Sequence, residues 1–281
     1  MAVVLWFTPL PSLDVRFVRS PESLKVPARI TAIFWAIKLL TTAFGESTSD
    51  YLVHNANPYL AVVGGFVVFA VAMMLQLRVA RYVPWVYWLA VAMVALFGTM
   101  AADVLHVEFG VPYALSTIAF AVALIAVFCL WSRTESTLSI HSITSERREL
   151  FYWAAVLATF AMGTALGDLA AYTFHLGFLS AGIAFAVLFA LPGIAWLTRR
   201  VDPVIAFWSS YVMTRPLGAS FADWTGKSRH AGGIGIGDGI TSFTLAVLIV
   251  VAVVYLSRSR SDQEPTREPT SLDFALANRG A

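Results

Sequence analysis

Charge is scarce in this chain. Asp, Glu, Lys and Arg make up 13% of its 281 residues, where a soluble domain carries about a quarter. With 58% hydrophobic residues and a mean hydropathy of +0.74, the polar surface is too small for water, and the solvent the chain calls for is lipid. Cysteine is scarcer still. Cys129 stands alone, which excludes an internal disulfide and a cysteine-based metal cluster. It lies in an apolar run and reads as inert. A nucleophile–base pair, a GxxxxGK[ST] loop and a Cys/His ligand cluster are all missing, so nothing points to an enzyme. The net charge of +2 gives no basis for a nucleic-acid partner. A signal peptide is not expected, because the apolar residues 1–10 precede the first basic residues and are broken by Pro9 and Pro11.

Long apolar runs are what the chain does have. Residues 55–77, 82–102, 110–132, 150–167, 169–198 and 239–257 contain no Asp, Glu, Lys or Arg. Each can cross a hydrocarbon layer about 30 Å thick as a helix. Two further apolar stretches carry charges inside them: 30–50 with Lys38 and Glu46, and 203–223 with Arg215. None shows strand alternation, so helices are the spanning form. The reading is an all-α integral membrane protein of about eight transmembrane helices. Its partners are the lipid bilayer and, if it transports, an inorganic cation.

Basic residues set the expected orientation. Arg16, Arg19, Lys25 and Arg29 precede span 1; Arg78 and Arg81 join spans 2 and 3; Arg133, Arg147 and Arg148 join spans 4 and 5; Arg199 and Arg200 join spans 6 and 7; Arg258, Arg260, Arg267 and Arg279 follow span 8. That is 15 of the 19 Lys and Arg on one side, which predicts cytoplasmic termini. Residues 1–27 form an N-terminal tail, 28–257 the transmembrane domain, and 258–281 a polar C-terminal tail expected to be disordered.

Four segments align without gaps: FWAIKLLTTAFGESTSD, YWLAVAMVALFGTMAAD, YWAAVLATFAMGTALGD and FWSSYVMTRPLGASFAD. Their shared pattern is [FY]-W-x9-G-x4-D. It places Trp35, Trp88, Trp153 and Trp208 before Gly45, Gly98, Gly163 and Gly218, and those before Asp50, Asp103, Asp168 and Asp223. The spans therefore form four tandem two-helix repeats, about 28–81, 82–133, 147–200 and 201–257. All four point the same way, with any symmetry axis along the membrane normal.

The four Trp–Gly–Asp copies, with Glu46 after Gly45, resemble a bacterial membrane-protein family of four tandem repeats, each of two transmembrane helices with a characteristic Trp. The resemblance covers roughly residues 25–258. It implies the architecture and a bacterial plasma (inner) membrane. The family's function is uncharacterised, so it implies no activity.

The motif residues carry separate expectations. The tryptophans are read as an interfacial aromatic belt or as packing, with Trp85, Trp131 and Trp196 fitting the belt too. The glycines are read as points of close helix approach, or as places where the helix unwinds. The aspartates lie about 22 Å beyond the tryptophans, at helix C-termini that are already electronegative. They are either solvated at the surface or converge to attract a cation. Glu46 and Asp50 are four residues apart on one face, whereas the other copies have Thr99, Thr164 and Ala219 in the register of Glu46. Lys38 and Arg215 fall at mid-membrane depth, where charges are expected to pair and to face the bundle interior. If the repeats close into a ring, spans 1 and 7 are neighbours and Glu46 shares a network with Lys38 or Arg215. Pro216 is expected to kink span 7 or free a carbonyl. The loop histidines His54, His106, His175 and His230 are weak metal candidates, because their offsets from the aspartates differ. The Gly-rich run 232–239 is read as a flexible loop.

The expected function is a small transporter or exporter of a cation, divalent or proton-coupled. Glu46, Asp50, Asp103, Asp168 and Asp223 are the ligand candidates, and Lys38 and Arg215 are balancing or gating groups. A pseudo-tetrameric channel, or a structural or signalling membrane protein, is the alternative. The sequence leaves any cofactor open.

Overall fold

The computed structural model describes residues 24–263, and no strand occurs among them. Eight long helices follow in order: α1 Ala32–Asn55, α2 Pro58–Arg78, α3 Pro84–Val107, α4 Tyr113–Glu135, α5 Glu146–Asp168, α6 Gly177–Leu197, α7 Pro203–Gly226 and α8 Asp238–Ser259. α5 runs on into a π-helical turn, Leu169–Thr173. Six helices, α2 to α6 and α8, are long and apolar enough to cross a membrane. The other two, α1 and α7, are 24 residues each. They carry the charges that set them apart: Lys38, Glu46 and Asp50 on one, Arg215 and Asp223 on the other.

The helix starts follow from local chemistry. Pro58, Pro84 and Pro203 open α2, α3 and α7, where a missing N–H costs nothing and φ is already helical. Asn57 accepts from the N–H groups of Tyr59 and Leu60, and Asp202 from those of Val204 and Ile205. Both are side-chain N-caps.

The odd helices form a closed ring. α1 packs on α3, α3 on α5, α5 on α7, and α7 back on α1. Each even helix lies outside and leans on the odd helix of the next copy: α2 on α3, α4 on α5, α6 on α7, and α8 on α1. The last pairing closes the circle. Burial follows this layout, with 67% of the α5 span buried against 17% of the α4 span. The outer faces stay apolar: Val63 and Phe66 on α2, Ile118 and Val122 on α4, and Phe243 and Val250 on α8 are exposed.

The motif glycines sit where neighbouring odd helices cross. A Cβ on Gly45 would lie 2.6 Å from the Ala95 backbone. On Gly98 it would lie 2.9 Å from Phe160 Cβ, on Gly163 2.5 Å from Arg215 Cγ, and on Gly218 2.7 Å from Thr42 Cβ. The struck residue is always three positions before the next copy's glycine, and copy 4 strikes copy 1. Only glycine permits this approach.

The tryptophans correct the belt expectation. Trp35, Trp88, Trp153 and Trp208 are all at most 5% exposed, and so face the ring rather than lipid. Each copy's leading aromatic packs on the next copy's Trp: Phe34 on Trp88 at 5.4 Å, Tyr87 on Trp153 at 5.7 Å, Tyr152 on Trp208 at 6.1 Å, and Phe207 on Trp35 at 5.7 Å between centroids. Eight rings thus plug one end of the bundle, and each such pair contributes roughly 0.5–1.5 kcal/mol beyond its area. Trp131 is also buried, Trp196 is half-buried, and Trp85 alone of the three belt candidates is mostly exposed.

The two ends of the ring are closed differently. At the Trp end, four chain segments meet: Lys25 N–H donates to Ile143 O, Tyr82 N–H to Leu24 O and Arg29 N–H to Asp262 O. Lys25 pairs with buried Glu149 at 2.7 Å, which also accepts from Gln76 Nε2 at 2.9 Å. Residues 24–27 and 261–263, assigned to the tails by sequence, are therefore packed against the bundle, and residues 258–259 belong to α8; tail residues 1–23 and 264–281 lie outside the described residues. At the Asp end, residues 232–237 fold back over the C-terminus of α7. Ile234, Ile236 and Gly237 donate N–H bonds to the carbonyls of Trp224, Thr225 and Gly226. The run expected to be a flexible loop is a tied cap, because the last carbonyls of α7 need donors.

Candidate functional site

The ring holds a column of charged side chains on its inner face. Counting from the motif glycine gives its layers. Seven residues before the glycine, copy 1 has Lys38, fully buried. Its Nζ lies 4.0 Å from the Phe160 ring centroid and 4.2 Å from that of Tyr211, and it has no hydrogen-bond partner. Two aromatic faces hold this ammonium in place of an anion.

Three residues before the glycine, copy 4 has Arg215. Its guanidinium reaches across the ring. Nη2 donates to Glu46 Oε2 on α1, to Thr99 Oγ1 on α3 at 2.5 Å and to Thr164 Oγ1 on α5 at 2.7 Å. One side chain thereby ties together all four repeats, and its three acceptors occupy a single register, the residue after the motif glycine. In copy 4 that register is Ala219, which leaves the space open. Glu46 is joined to Arg215 rather than to Lys38. The latter stands eight residues back, about 12 Å along the axis. α7 remains one continuous helix through Pro216, which packs beside Gly163 and Gly167.

Five residues after the glycine come the aspartates. Glu46, Asp50 and Asp223 each offer a carboxylate oxygen, all within 4.8 Å of one another. Asp103 and Asp168, on α3 and α5, are half-buried and lie within reach of the Glu46 and Asp50 charges, but outside this tight group. The two ring helices that carry internal charges, α1 and α7, supply all three converging carboxylates.

Lys227 closes the column. Its Nζ is 2.5 Å from Asp50 Oδ2, 3.9 Å from Asp223 Oδ1 and 3.9 Å from Asp238 Oδ2. Burial works to lower its affinity for a proton, but the Asp50 and Asp223 charges outweigh that and hold the ammonium above the usual lysine range. Lys227 drew no reading from the sequence. The usable signal was its spacing of four from Asp223, one helical turn.

The histidines do not join the carboxylate group. His54 and His230 are exposed, and His54 Nδ1 pairs with the Asp50 carbonyl at 2.7 Å. His106 Nδ1 pairs with Val111 O at 2.9 Å. His175 is exposed with φ 54°.

This four-fold register decides the relationship. A family described as Repeat of Unknown Function (DUF347) matches residues 33–82, 86–137, 151–202 and 206–262. The chain belongs to this repeat family. Each DUF347 copy holds one Trp–Gly–Asp helix and the outer helix after it, with limits one to five residues beyond those read from the sequence. No curated protein and no solved structure matches the chain. The family's description names no activity, so chemistry has to be read from the column itself.

Proposed function

We propose that the protein is a small, multi-pass cation transporter with its path along the ring axis. The observation that carries this reading is the convergence of Glu46, Asp50 and Asp223 to within 4.8 Å at the Asp end. Counted formally, six carboxylates (Glu46, Asp50, Asp103, Asp168, Asp223 and Asp238) face three cations (Lys38, Arg215, Lys227), so negative charge is in excess. Oxygen-only donors suit a hard or intermediate metal ion. Carboxylates placed inside a bundle without matching cations must either take up a proton or meet a cation.

In this reading all eight helices cross the membrane, with α1 and α7 shielded by the others. The Trp end, which carries the Arg-rich connections, is cytoplasmic, and the membrane is a bacterial plasma membrane. Asp50 and Asp223 receive the ion, and Glu46 exchanges between it and Arg215. The eight-ring plug favours a transporter that opens to one side at a time over an open channel. Lys38 and Arg215 keep the axis positive behind the site and so oppose leakage. No catalysis is assigned.

The test is flux in proteoliposomes, with Mn²⁺ and proton indicators, for wild type, Glu46→Gln and Asp50→Asn. Wild type should carry Mn²⁺ and both variants should not. Wild-type flux equal to that of protein-free liposomes would remove the transport reading.

A further inference from the structure

The cation reading leaves Lys227 unexplained, and its geometry says more than a surface ion pair would. It sits just past α7, and its ammonium meets carboxylates from three helices: Asp50 of α1, Asp223 of α7 and Asp238 of α8. Two of these are members of the converging group that would take the substrate ion. Its side chain is 19% exposed, so solution reaches it.

The surrounding chain is built to hold it there. Lys227 N–H donates to Asp223 O at 2.8 Å. The 232–237 cap is bonded to the carbonyls on either side of it, and Gly233 N–H donates to Ser228 O at 3.0 Å. A Cβ on Gly233 would collide with the Lys227 carbonyl, and one on Gly226 with the Asp238 carboxylate. The backbone is fixed, while the side chain is a four-carbon stem ending in three rotatable donors. Such a group can leave without disturbing the fold. The corresponding register in the other copies holds His54, Val107 and Tyr172. Only copy 4 supplies a long cationic arm.

We propose that Lys227 is a tethered cation that occupies the mouth of the site and that a substrate cation must displace to enter. This rests on the cation reading above. Lys227 then sets a threshold: it offsets part of the negative charge while the site is idle and competes with every incoming ion. A substrate of higher charge exchanges with it more readily than a monovalent one, which favours divalent ions over sodium or potassium.

Isothermal titration of Mn²⁺ into the purified full chain in detergent tests this. Lys227→Gln should bind Mn²⁺ at least tenfold more tightly than wild type, and Lys227→Arg, which keeps the charge, should stay near wild type. Wild type can be probed without any substitution. An amine-reactive label followed by mass spectrometry should modify Lys227 faster as Mn²⁺ is added, because the displaced ammonium is freed from Asp50. If wild type binds Mn²⁺ but Lys227→Gln binds no more tightly and labelling does not rise, Lys227 is a structural ion pair. The tethered-cation proposal then falls while the cation reading stands. If neither protein binds Mn²⁺, both fall.

Discussion

The two halves of the ring are built on opposite rules. At the Trp end all four repeats contribute the same chemistry, an aromatic and a Trp, and each packs on the next in a closed circle. At the Asp end the repeats share glycine and aspartate, but the residues between and beyond them are not repeated across all four copies. Lys38, Glu46, Arg215 and Lys227 each occur once, in copies 1 and 4, which meet where the ring closes. The repeated half supplies a scaffold whose contacts are four times over-determined. The unrepeated half supplies a single group of converging carboxylates, placed at the one seam where the first and last repeats touch.

Four outcomes break or sharpen that contrast. The largest belongs to the unrepeated half. Glu46→Gln leaves Arg215 fully buried with its anion gone, and should cost about 3–5 kcal/mol of stability, read as a large fall in the detergent unfolding midpoint. The double change with Arg215→Gln should recover much of that loss. If the two effects simply add, the residues are not coupled.

Next come the glycines, where symmetry predicts equality. Valine at Gly45, Gly98, Gly163 or Gly218 forces a methyl into the neighbouring helix and should cost about 1–3 kcal/mol. Gly98 should be the mildest, since its nearest obstacle, a side-chain atom at 2.9 Å, is the most distant of the four. A neutral Gly218→Val would mean that copies 4 and 1 do not meet.

Third is the hydroxyl pair of the Trp end. Tyr87 and Tyr152 share a 2.5 Å hydrogen bond. Tyr152→Phe should cost about 1–2 kcal/mol by leaving the Tyr87 hydroxyl buried and unpaired. Removing both hydroxyls should be nearly neutral for stability and for transport, unlike the double change at Glu46 and Arg215, which should abolish transport.

The smallest effect is pH-dependent. Asp262 is buried under the Trp end, and burial raises its carboxyl above the usual aspartate range despite a hydroxyl contact from Tyr82. A raised native value means the folded chain binds more protons than the unfolded one, so stability falls as pH climbs from the ordinary aspartate range through the raised value. Asp262→Asn should remove that fall. It should unfold at a higher temperature than wild type at pH 8 and at the same temperature below pH 4. A constant difference across the range would contradict the assignment.

Much of this was legible in the chain. The Trp–Gly–Asp spacing fixed which helices are equivalent, and the charges inside spans 1 and 7 marked the pair that meets. Other features were not. The tryptophans were read as an interfacial belt or as packing, and the choice stayed open because on a helix apolar all round, hydropathy does not tell an outward face from one turned to a neighbour. Lys38 and Arg215 were both candidate partners for Glu46; the eight-residue spacing already put Lys38 about 12 Å away, but that the faces of Phe160 and Tyr211 would hold it was not legible. The cap at 232–237 was hidden by its glycines, which signal turn freedom whether a segment is loose or tied. Lys227 was hidden by its position outside a span.

The central claim is that four repeats build one cation site and not four. Counting Mn²⁺ ions bound per chain in wild type, Asp50→Asn and Asp103→Asn tests it most directly. One ion per chain in wild type, lost in Asp50→Asn and kept with reduced affinity in Asp103→Asn, is the predicted result. Four ions per chain, or equal loss in the two variants, would contradict it.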